Sequence, residues 1–206
     1  MAIKTIFWDI GGVLERTEDH NPRAALADRL GWTVPDLSRL IFGHTDHFRI
    51  QLGEIGPEEH YANIAEALDI TPCGVDQVFA EFFAGDQLDR ALVEYIRSLK
   101  QDYTTAVISN YTVILREKIE NQWQIGDAFD ELIISSEVGM MKPAPGIFYI
   151  ALEKTSTVPE EAVLIDDFIQ NVEGAHNVGM QAILFETPAQ AMNDLNALIN
   201  DLTGHN

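Results

Sequence analysis

Residues 3–14 read Ile3-Lys4-Thr5-Ile6-Phe7-Trp8-Asp9-Ile10-Gly11-Gly12-Val13-Leu14. The apolar run at residues 6–8 is typical of a short strand that is buried on both faces. The run ends at Asp9, so we expect a carboxylate at the tip of this strand. Gly11 and Gly12 follow, and they allow the backbone to turn tightly beside whatever the carboxylate contacts. Taken alone, these residues fit equally well a strand that merely ends in an aspartate.

Strand patterns and helical patterns alternate through the second half of the chain. Short apolar runs recur at residues 104–108, 132–134, 162–165 and 182–185. Amphipathic helical patterns separate these runs, which predicts βαβ units. We therefore predict an α/β fold with a parallel sheet and helices on both faces.

The segment after the first strand differs in character. Residues 34–84 show only helical patterns, and the polar stretch after Leu14 indicates a loop. We predict that residues 15–87 form a small all-helical cap inserted after the first strand. Residues 1–14 and 88–206 then form the core.

The composition excludes several classes of partner. The chain has 33 acidic and 13 basic residues, a formal net charge of −20. Such a surface repels polyanions, so we expect no nucleic-acid partner. No segment approaches the roughly 18 apolar residues that span a bilayer, and Asp9 interrupts the apolar start, with no signal-peptide cleavage site after it. We expect a cytoplasmic protein with no membrane partner.

Polar residues follow four of the predicted strands. They are Asp9, Ser109-Asn110, Ser135-Ser136 with Lys142 shortly after, and Asp166-Asp167. In an open parallel sheet, ligands bind at the carboxyl ends of the strands. We therefore expect these side chains to form one site.

The residue types at these ends predict phosphoryl chemistry. Asp9 with either Asp166 or Asp167 offers the carboxylate oxygens that Mg²⁺ prefers, and the ion attracts a phosphate. Ser109 can hold phosphoryl oxygens and Lys142 supplies a compact positive charge. Asp9 is the candidate nucleophile, because a carboxylate can form an aspartyl-phosphate.

Four motifs in this order resemble those of the haloacid dehalogenase-like hydrolase superfamily. They are the stretch Trp8 to Leu14, Ile108-Ser109-Asn110, Gly139-Met140-Met141-Lys142-Pro143, and Ile165-Asp166-Asp167 with Asn171-Val172-Glu173-Gly174-Ala175. The helical insert matches the subfamily with a cap after the first strand. The adjacent acid pair resembles the branch containing sugar-1-phosphate phosphatases and the amino-terminal phosphatase domain of soluble epoxide hydrolase.

The resemblance implies a Rossmann-like core and a role for each motif. It implies that Asp9 attacks phosphorus, that Ser109 binds the phosphoryl group and that Lys142 steadies it. It also implies an Mg²⁺ cofactor held by Asp9, the carbonyl of Gly11 and Asp167, with Asp166 close by. The substrate it implies is a small phosphorylated metabolite.

One position departs from the family pattern. Most phosphatases of this superfamily carry a second aspartate two residues after the nucleophile, where it protonates the leaving oxygen. Here that residue is Gly11. Loss of a general acid costs about 10²- to 10⁴-fold in rate. We therefore expect a preference for groups that leave without protonation, such as anomeric sugar, acyl or aryl phosphates.

Two further sets of residues are candidate substrate contacts. Arg16, after the first strand, can meet an anionic substrate, and Asn110 is a candidate donor beside Ser109. In the insert, His44 or His47 can replace the missing acid, although solvent-facing or capping roles are the simpler explanation for both. Two other functions stay open: a catalytically weak phosphate-binding or interaction protein, and a haloacid dehalogenase.

Overall fold

A computed structural model describes residues 2–46 and 48–203 of the chain. His47, one of the two candidate replacement acids, lies outside the described residues. The strands are β1 Thr5–Trp8, β2 Glu15–Thr17, β3 Asp86–Leu88, β4 Thr104–Ser109, β5 Glu131–Ile134, β6 Ala162–Asp166 and β7 Gln181–Leu184. Five of them form one parallel sheet in the order β5-β4-β1-β6-β7. The predicted α/β fold with a parallel sheet is confirmed.

Helices occupy most of the remaining chain. They are α1 Asn21–Leu30, α2 Val34–Ile41, α3 Pro57–Leu68, α4 Pro72–Phe82, α5 Arg90–Leu99, α6 Ile114–Glu117, α7 Ser135–Val138, α8 Pro145–Lys154, α9 Ile169–Asn177 and α10 Pro188–Thr203. Short 3₁₀ turns cover His44–Asp46, Gly126–Ala128 and Pro159–Glu161, and a π-helical turn, Lys118–Gln122, follows α6. Across the described residues, no helix has both the length and the apolar character that crossing a bilayer requires.

Strand β1 lies at the centre of the sheet and is buried on both faces. Ile6 and Trp8 pack into the apolar cluster on one face, whereas Phe7 packs into the cluster on the other. All three side chains are fully buried, and their alternation follows from the two-residue period of a strand. The backbone pairing continues past the strand, since the N–H of Asp9 donates to the carbonyl of Ile165 at 3.0 Å. The position of Asp9 is therefore fixed by the middle of the sheet.

The insert has apolar clusters of its own. In one of them Leu26 of α1 packs with Leu37 of α2 and Phe82 of α4. In the other, Ile64 of α3 packs with Val75 of α4. Helices form most of this segment, as predicted, but strands β2 and β3 at its two ends mean that it is not all-helical. Its division from the core at residues 15 and 87 stays a prediction.

The prediction that the residues after Leu14 form a loop is wrong for Glu15–Thr17. This segment is β2, and it pairs with β3 in an antiparallel ribbon, Glu15 opposite Leu88 and Thr17 opposite Asp86. Each strand has three residues, mostly polar, so neither carries an apolar alternation that sequence analysis can detect. The ribbon pairs the start of the insert with its end. It lies beside the turn that follows β1, since Gly11 and Glu15 form an isolated bridge.

Candidate active site

Asp9 lies directly after β1 and is 6 % exposed. Its Oδ1 accepts a hydrogen bond from the N–H of Ile10 at 2.7 Å, and its Oδ2 lies 2.9 Å from Nζ of Lys142. The hydroxyl of Ser109, a buried residue at the end of β4, also hydrogen-bonds this carboxylate. The two strand tips thus bring together the candidate nucleophile and the candidate phosphoryl-binding hydroxyl.

Lys142 reaches the same point from the loop before α8, and its side chain is completely buried. Its Nζ lies between two carboxylates, 2.9 Å from Asp9 and 2.5 Å from Asp166. Its backbone is held by Asn110, whose Nδ2 donates to the Lys142 carbonyl at 2.9 Å and whose Oδ1 accepts from the Lys142 N–H at 2.8 Å. Asn110 therefore places the lysine loop, and both ends of its amide are engaged there rather than directed at a substrate.

Asp166, the last residue of β6, is fully buried and all of its contacts are internal. Its Oδ2 pairs with Lys142, while its Oδ1 accepts from the N–H of Phe168 and from Nδ2 of Asn171, both at 2.9 Å. Both carboxylate oxygens are thus occupied. Asp166 anchors Lys142 and the start of α9.

Asp167 points toward the glycine turn after β1. Its Oδ1 is buried and has no hydrogen-bond partner. A Cβ added to Gly12 would lie 2.0 Å from its Oδ2, and Gly12 has φ +78°. Only glycine fits there, because a side chain would displace Asp167 and would strain the left-handed backbone.

The carboxylates of Asp9, Asp166 and Asp167 form a group suited to a cation. One oxygen of each lies within 4.8 Å of the others. Burial raises the pKa of Asp9 to about 7 against the opposing attraction of Lys142, and the charge of Asp166 adds to the rise. Burial, followed by the charge of Asp166, raises the pKa of Asp167 to about 6. A bound cation favours the ionised forms of such carboxylates. The unpartnered oxygen of Asp167 and this excess of negative charge both fit a divalent cation.

Lys142 keeps its positive charge although its side chain is buried. Burial acts to lower the pKa of Lys142, but the attraction of Asp9 and Asp166 outweighs it and raises the pKa above its ordinary value. A permanent ammonium therefore sits beside the oxygen of Asp9. It can hold negative charge that develops on a group bound to that carboxylate.

These residues face one cavity of about 620 Å³, which opens between the sheet edge and the insert. Of the predicted site residues, those that line it are Asp9, Gly11, Arg16, Ser109, Asn110, Lys142 and Asp167. Asp166 lies behind Lys142 and does not line it. The structure therefore brings the predicted residues to one place, while their roles stay predictions.

Arg16 lies in β2 and is committed to protein partners. Its Nη1 donates to the carbonyl of Val13 at 2.6 Å, its Nη2 to Asp89 at 2.8 Å, and its Nε to Glu18 at 3.3 Å. The contact with an anionic substrate stays a prediction. These bonds would have to loosen for it to form.

Sequence reasoning missed a polar cluster on the cavity wall. Lys118 Nζ donates to Glu15 at 2.6 Å and to the hydroxyl of Tyr111 at 2.9 Å, and that hydroxyl donates to Glu15 at 3.3 Å. Burial, with the charge of Glu15 next, holds the pKa of Tyr111 well above its usual range. The position of Tyr111, two residues after Ser109 at a strand end, was a usable signal. The hydrogen bond between Tyr111 and Lys118, which lies after α6, had no signal in the sequence.

The insert contributes His44 to the cavity lining. Its ring lies 4.4 Å from that of Phe48, centroid to centroid. Burial and, next, the charge of Arg39 lower the pKa of His44. The imidazole is therefore uncharged at neutral pH, and it can donate only the proton of its one N–H.

Comparison with known proteins identifies relatives. A family model described as haloacid dehalogenase-like hydrolase matches residues 3–179. The bifunctional epoxide hydrolase 2 of Mus musculus is 31% identical over 139 residues, 65% of this chain and 24% of that protein. The D-ribitol-5-phosphate phosphatase of Bacteroides thetaiotaomicron is 23% identical over 207 residues, 96% of this chain and 99% of that protein. The chain thus spans about a quarter of the epoxide hydrolase and nearly all of the phosphatase.

A solved structure shares the fold. It is a HAD family enzyme of Bacteroides thetaiotaomicron, the wild-type protein in complex with magnesium and inorganic phosphate. The TM-score is 0.74 at 22% identity, over 89% of this chain and 94% of that chain.

Proposed function

This chain belongs to the family of haloacid dehalogenase-like hydrolases, and on that premise we propose that it is a magnesium-dependent phosphatase of a small phosphorylated metabolite, acting through an aspartyl-phosphate on Asp9. The observation that carries the proposal is the arrangement around Lys142. Its ammonium touches the carboxylate of Asp9, while an unpartnered oxygen of Asp167 lies on the same edge of the sheet. A nucleophile, a fixed cation and a free ligand oxygen are what phosphoryl transfer requires.

The metal would be held by Asp9, Asp167 and the carbonyl of Gly11, with Asp166 close behind. Support comes from the fit of the carboxylates described above and from the related enzyme solved with magnesium and phosphate. When bound, Mg²⁺ supplies positive charge that attracts phosphoryl oxygens and offsets the charge of the carboxylates.

The chain's own residues account for the two chemical steps. In the first, a carboxylate oxygen of Asp9 attacks phosphorus while the bond between phosphorus and the leaving oxygen breaks. The hydroxyl of Ser109 and the ammonium of Lys142 hold the phosphoryl oxygens during the transfer. In the second step, water attacks the phosphorus of the aspartyl-phosphate, which releases inorganic phosphate and restores Asp9.

The leaving oxygen departs with its bonding electrons and takes its proton from water. Gly11 has no side chain to donate one, and the other residues of the turn, 10–14, carry no carboxyl group. Groups that are stable as anions should therefore leave fastest, which favours anomeric sugar, acyl or aryl phosphates over alkyl phosphates.

A phosphate-release screen tests the proposal. Sugar, acyl, aryl and nucleotide phosphates are incubated with the protein in Mg²⁺ and in chelator, with Asp9→Asn as the matched control because it keeps the shape of the side chain. We expect release with Mg²⁺ only, and none from the variant. Turnover that is independent of metal, or no turnover on any phosphate, would overturn the proposal.

Gly11 also favours a second candidate, a phosphate-binding protein with little turnover. The same screen separates the two, since a protein that only binds phosphate would release none from any ester in Mg²⁺. The intact set of Asp9, Ser109 and Lys142 supports the enzyme, because binding alone needs no nucleophile. A dehalogenase is less well supported, because it uses the nucleophile without a metal and Asp167 would then add an uncompensated charge.

A further inference from the structure

Five aromatic rings of the described residues line the cavity that contains Asp9. Phe42, Phe48 and Phe83 come from the insert, and Tyr111 and Phe168 from the loops at the sheet edge. Phe42 packs edge-on against Phe83, with the ring centroids 6.0 Å apart and the planes at 70°. Ligand pockets of about 300–1,000 Å³ bury most of a small molecule, and a volume of 620 Å³ exceeds what a phosphate alone would fill. A leaving group in this cavity would therefore contact aromatic rings.

The arginines that line the cavity are already neutralised. Arg23 makes a two-pronged pair with Asp86, at 2.7 and 2.9 Å, and its guanidinium lies 4.3 Å from the ring centre of Phe82. Arg16 is paired with Asp89. Lys142 lies at the base with its two carboxylates, so in the described part of the chain no lysine or arginine of the wall is left for a second anionic group.

Three other polar side chains of the wall are engaged by protein partners. Nε2 of Gln51 donates to the carbonyl of Phe42 at 2.6 Å, and Asn110 holds the backbone of Lys142. The hydroxyl of Tyr111 is shared by Glu15 and Lys118. His20, His44 and Gln170 also line the cavity, and their side chains are exposed to solvent. A sugar would lose the water bound to its hydroxyls and find few fixed partners in exchange, which is costly.

We propose that the leaving group of the substrate is an aromatic alcohol, so that the substrate is an aryl phosphate with no second anionic group. This inference rests on the proposed phosphatase function. When Asp9 attacks, the bond between phosphorus and the aryl oxygen breaks, the electron pair stays on that oxygen as a phenolate, and water later protonates it. Of the leaving groups that tolerate Gly11, only the aryl group also matches an aromatic wall without free charge.

Binding of non-hydrolysable phosphonates tests the inference apart from turnover. Titration calorimetry in Mg²⁺ buffer compares phenylphosphonate with methylphosphonate, butylphosphonate and phosphonoacetate. The buried ring should give phenylphosphonate at least about a tenfold lower Kd than methylphosphonate, and a lower Kd than butylphosphonate. Phosphonoacetate carries a second anion and should bind no better than methylphosphonate.

Two variants and a control assign the effect to the wall. Phe48→Ala should reduce the affinity advantage of phenylphosphonate over methylphosphonate to about threefold or less. Phe168→Ala should have the same effect, and because Phe168 is 60% exposed, its replacement should not disturb folding. Tyr149→Ala removes an aromatic ring that is 56% exposed on α8 and outside the cavity. It should leave the ratio unchanged.

Each result bears on the inference. Equal affinity for phenylphosphonate and methylphosphonate would overturn it, and equal affinity for butylphosphonate would show a wall that is only apolar and would overturn the aryl assignment. If either result is obtained while Mg²⁺-dependent release of phosphate from acetyl phosphate is observed, the aryl assignment fails and the phosphatase proposal is kept. If no phosphate ester or acyl phosphate is hydrolysed, the phosphatase proposal fails, and the calorimetric ratios still show which ligands the wall binds.

Discussion

The ammonium nitrogen of Lys142 lies 2.5 Å from Oδ2 of Asp166, and the side chains of both residues are completely buried. Their charges therefore depend on each other, because an isolated buried charge costs several kcal/mol. Lys142→Met keeps the length of the side chain and leaves Asp9 and Asp166 facing each other without a cation. We expect the free energy of unfolding to fall by about 3–5 kcal/mol, with loss of phosphatase activity.

A double-mutant cycle isolates the pair. Asp166→Asn added to Lys142→Met removes one of the two uncompensated carboxylates, so the double variant should be about 1–3 kcal/mol more stable than the sum of the single changes predicts. Urea unfolding in chelator at pH 8 measures each variant. Strict additivity would show that the two side chains are not paired in solution.

Gly11 is open to substitution, unlike its neighbour. A Cβ added there meets nothing within 4 Å, whereas one at Gly12 would collide with Asp167. Gly11→Asp should therefore fold and restore a proton donor, raising kcat/KM for alkyl phosphates by about 10²- to 10⁴-fold. Aryl phosphates, whose leaving groups need no proton, should change by about threefold or less.

Gly11→Asn is the matched control, because its side chain has the same shape but no acidic proton. Initial rates over a series of alkyl and aryl phosphates give the dependence on leaving-group pKa for all three proteins. An asparagine variant as fast as the aspartate variant, or a glycine enzyme whose rates ignore the leaving group, would contradict the role assigned to this position.

The strand tips of the site could be predicted because their signals are local. An apolar run followed at once by Asp9, or by Asp166-Asp167, fixes both the strand and the residue at its end. The direction of a side chain was not predictable in this way. Asn110 was placed at the right strand tip, yet its amide faces the backbone of Lys142, because the loop before α8 folds over it.

Pairing between distant, weakly patterned segments was also out of reach. Strands β2 and β3 are short and polar, and they lie at opposite ends of the insert. Their ribbon forms because the helices between them bring the ends together. The sequence of Glu15–Thr17 alone is simply polar, and for that reason it predicts a loop.

The carboxylate of Asp167 should weaken the metal-free protein as pH rises. Its folded pKa of about 6 lies above the ordinary value of 3.8, so the folded state holds this proton more tightly than the unfolded state does. The penalty is absent below pH 4, grows between about pH 4 and 6, and is complete above. In chelator, Asp167→Asn should gain stability relative to the wild type over this window by about 1–2 kcal/mol, allowing for its partial exposure.

Two controls accompany this measurement by thermal unfolding. At Asp127, hydrogen bonds from Arg97 lower the pKa, so Asp127→Asn should lose stability relative to the wild type as pH rises, the opposite sign. Added Mg²⁺ should stabilise the wild type by mass action and do so much less in Asp167→Asn. A pH slope identical in Asp167→Asn and the wild type would contradict the placement of this carboxylate.

The insert meets the core at the segment that contains Gln51 and Gly53. Oγ of Ser135 donates to the carbonyl of Gln51 at 2.6 Å. Gly53 has φ +72°, and a Cβ there would lie 2.2 Å from the main-chain oxygen of Ser136. Backbone atoms cannot move aside as a flexible side chain can, so Gly53→Ala must both strain the left-handed backbone and separate the two segments. We expect a loss of about 2 kcal/mol or more in stability.

Gly56→Ala is the matched control, since a Cβ there meets nothing within 4 Å and the residue has φ −84°. It should be neutral or slightly stabilising. Hydrogen exchange of residues 48–56 should become faster in Gly53→Ala only, together with a rise in KM, because the separated segment carries Phe48 and Gln51 of the cavity wall. Because both changes add the same methyl group to the same stretch, any difference between them comes from the contact with Ser136. Equal exchange and equal KM in the two variants would mean that this contact does not hold the insert against the core.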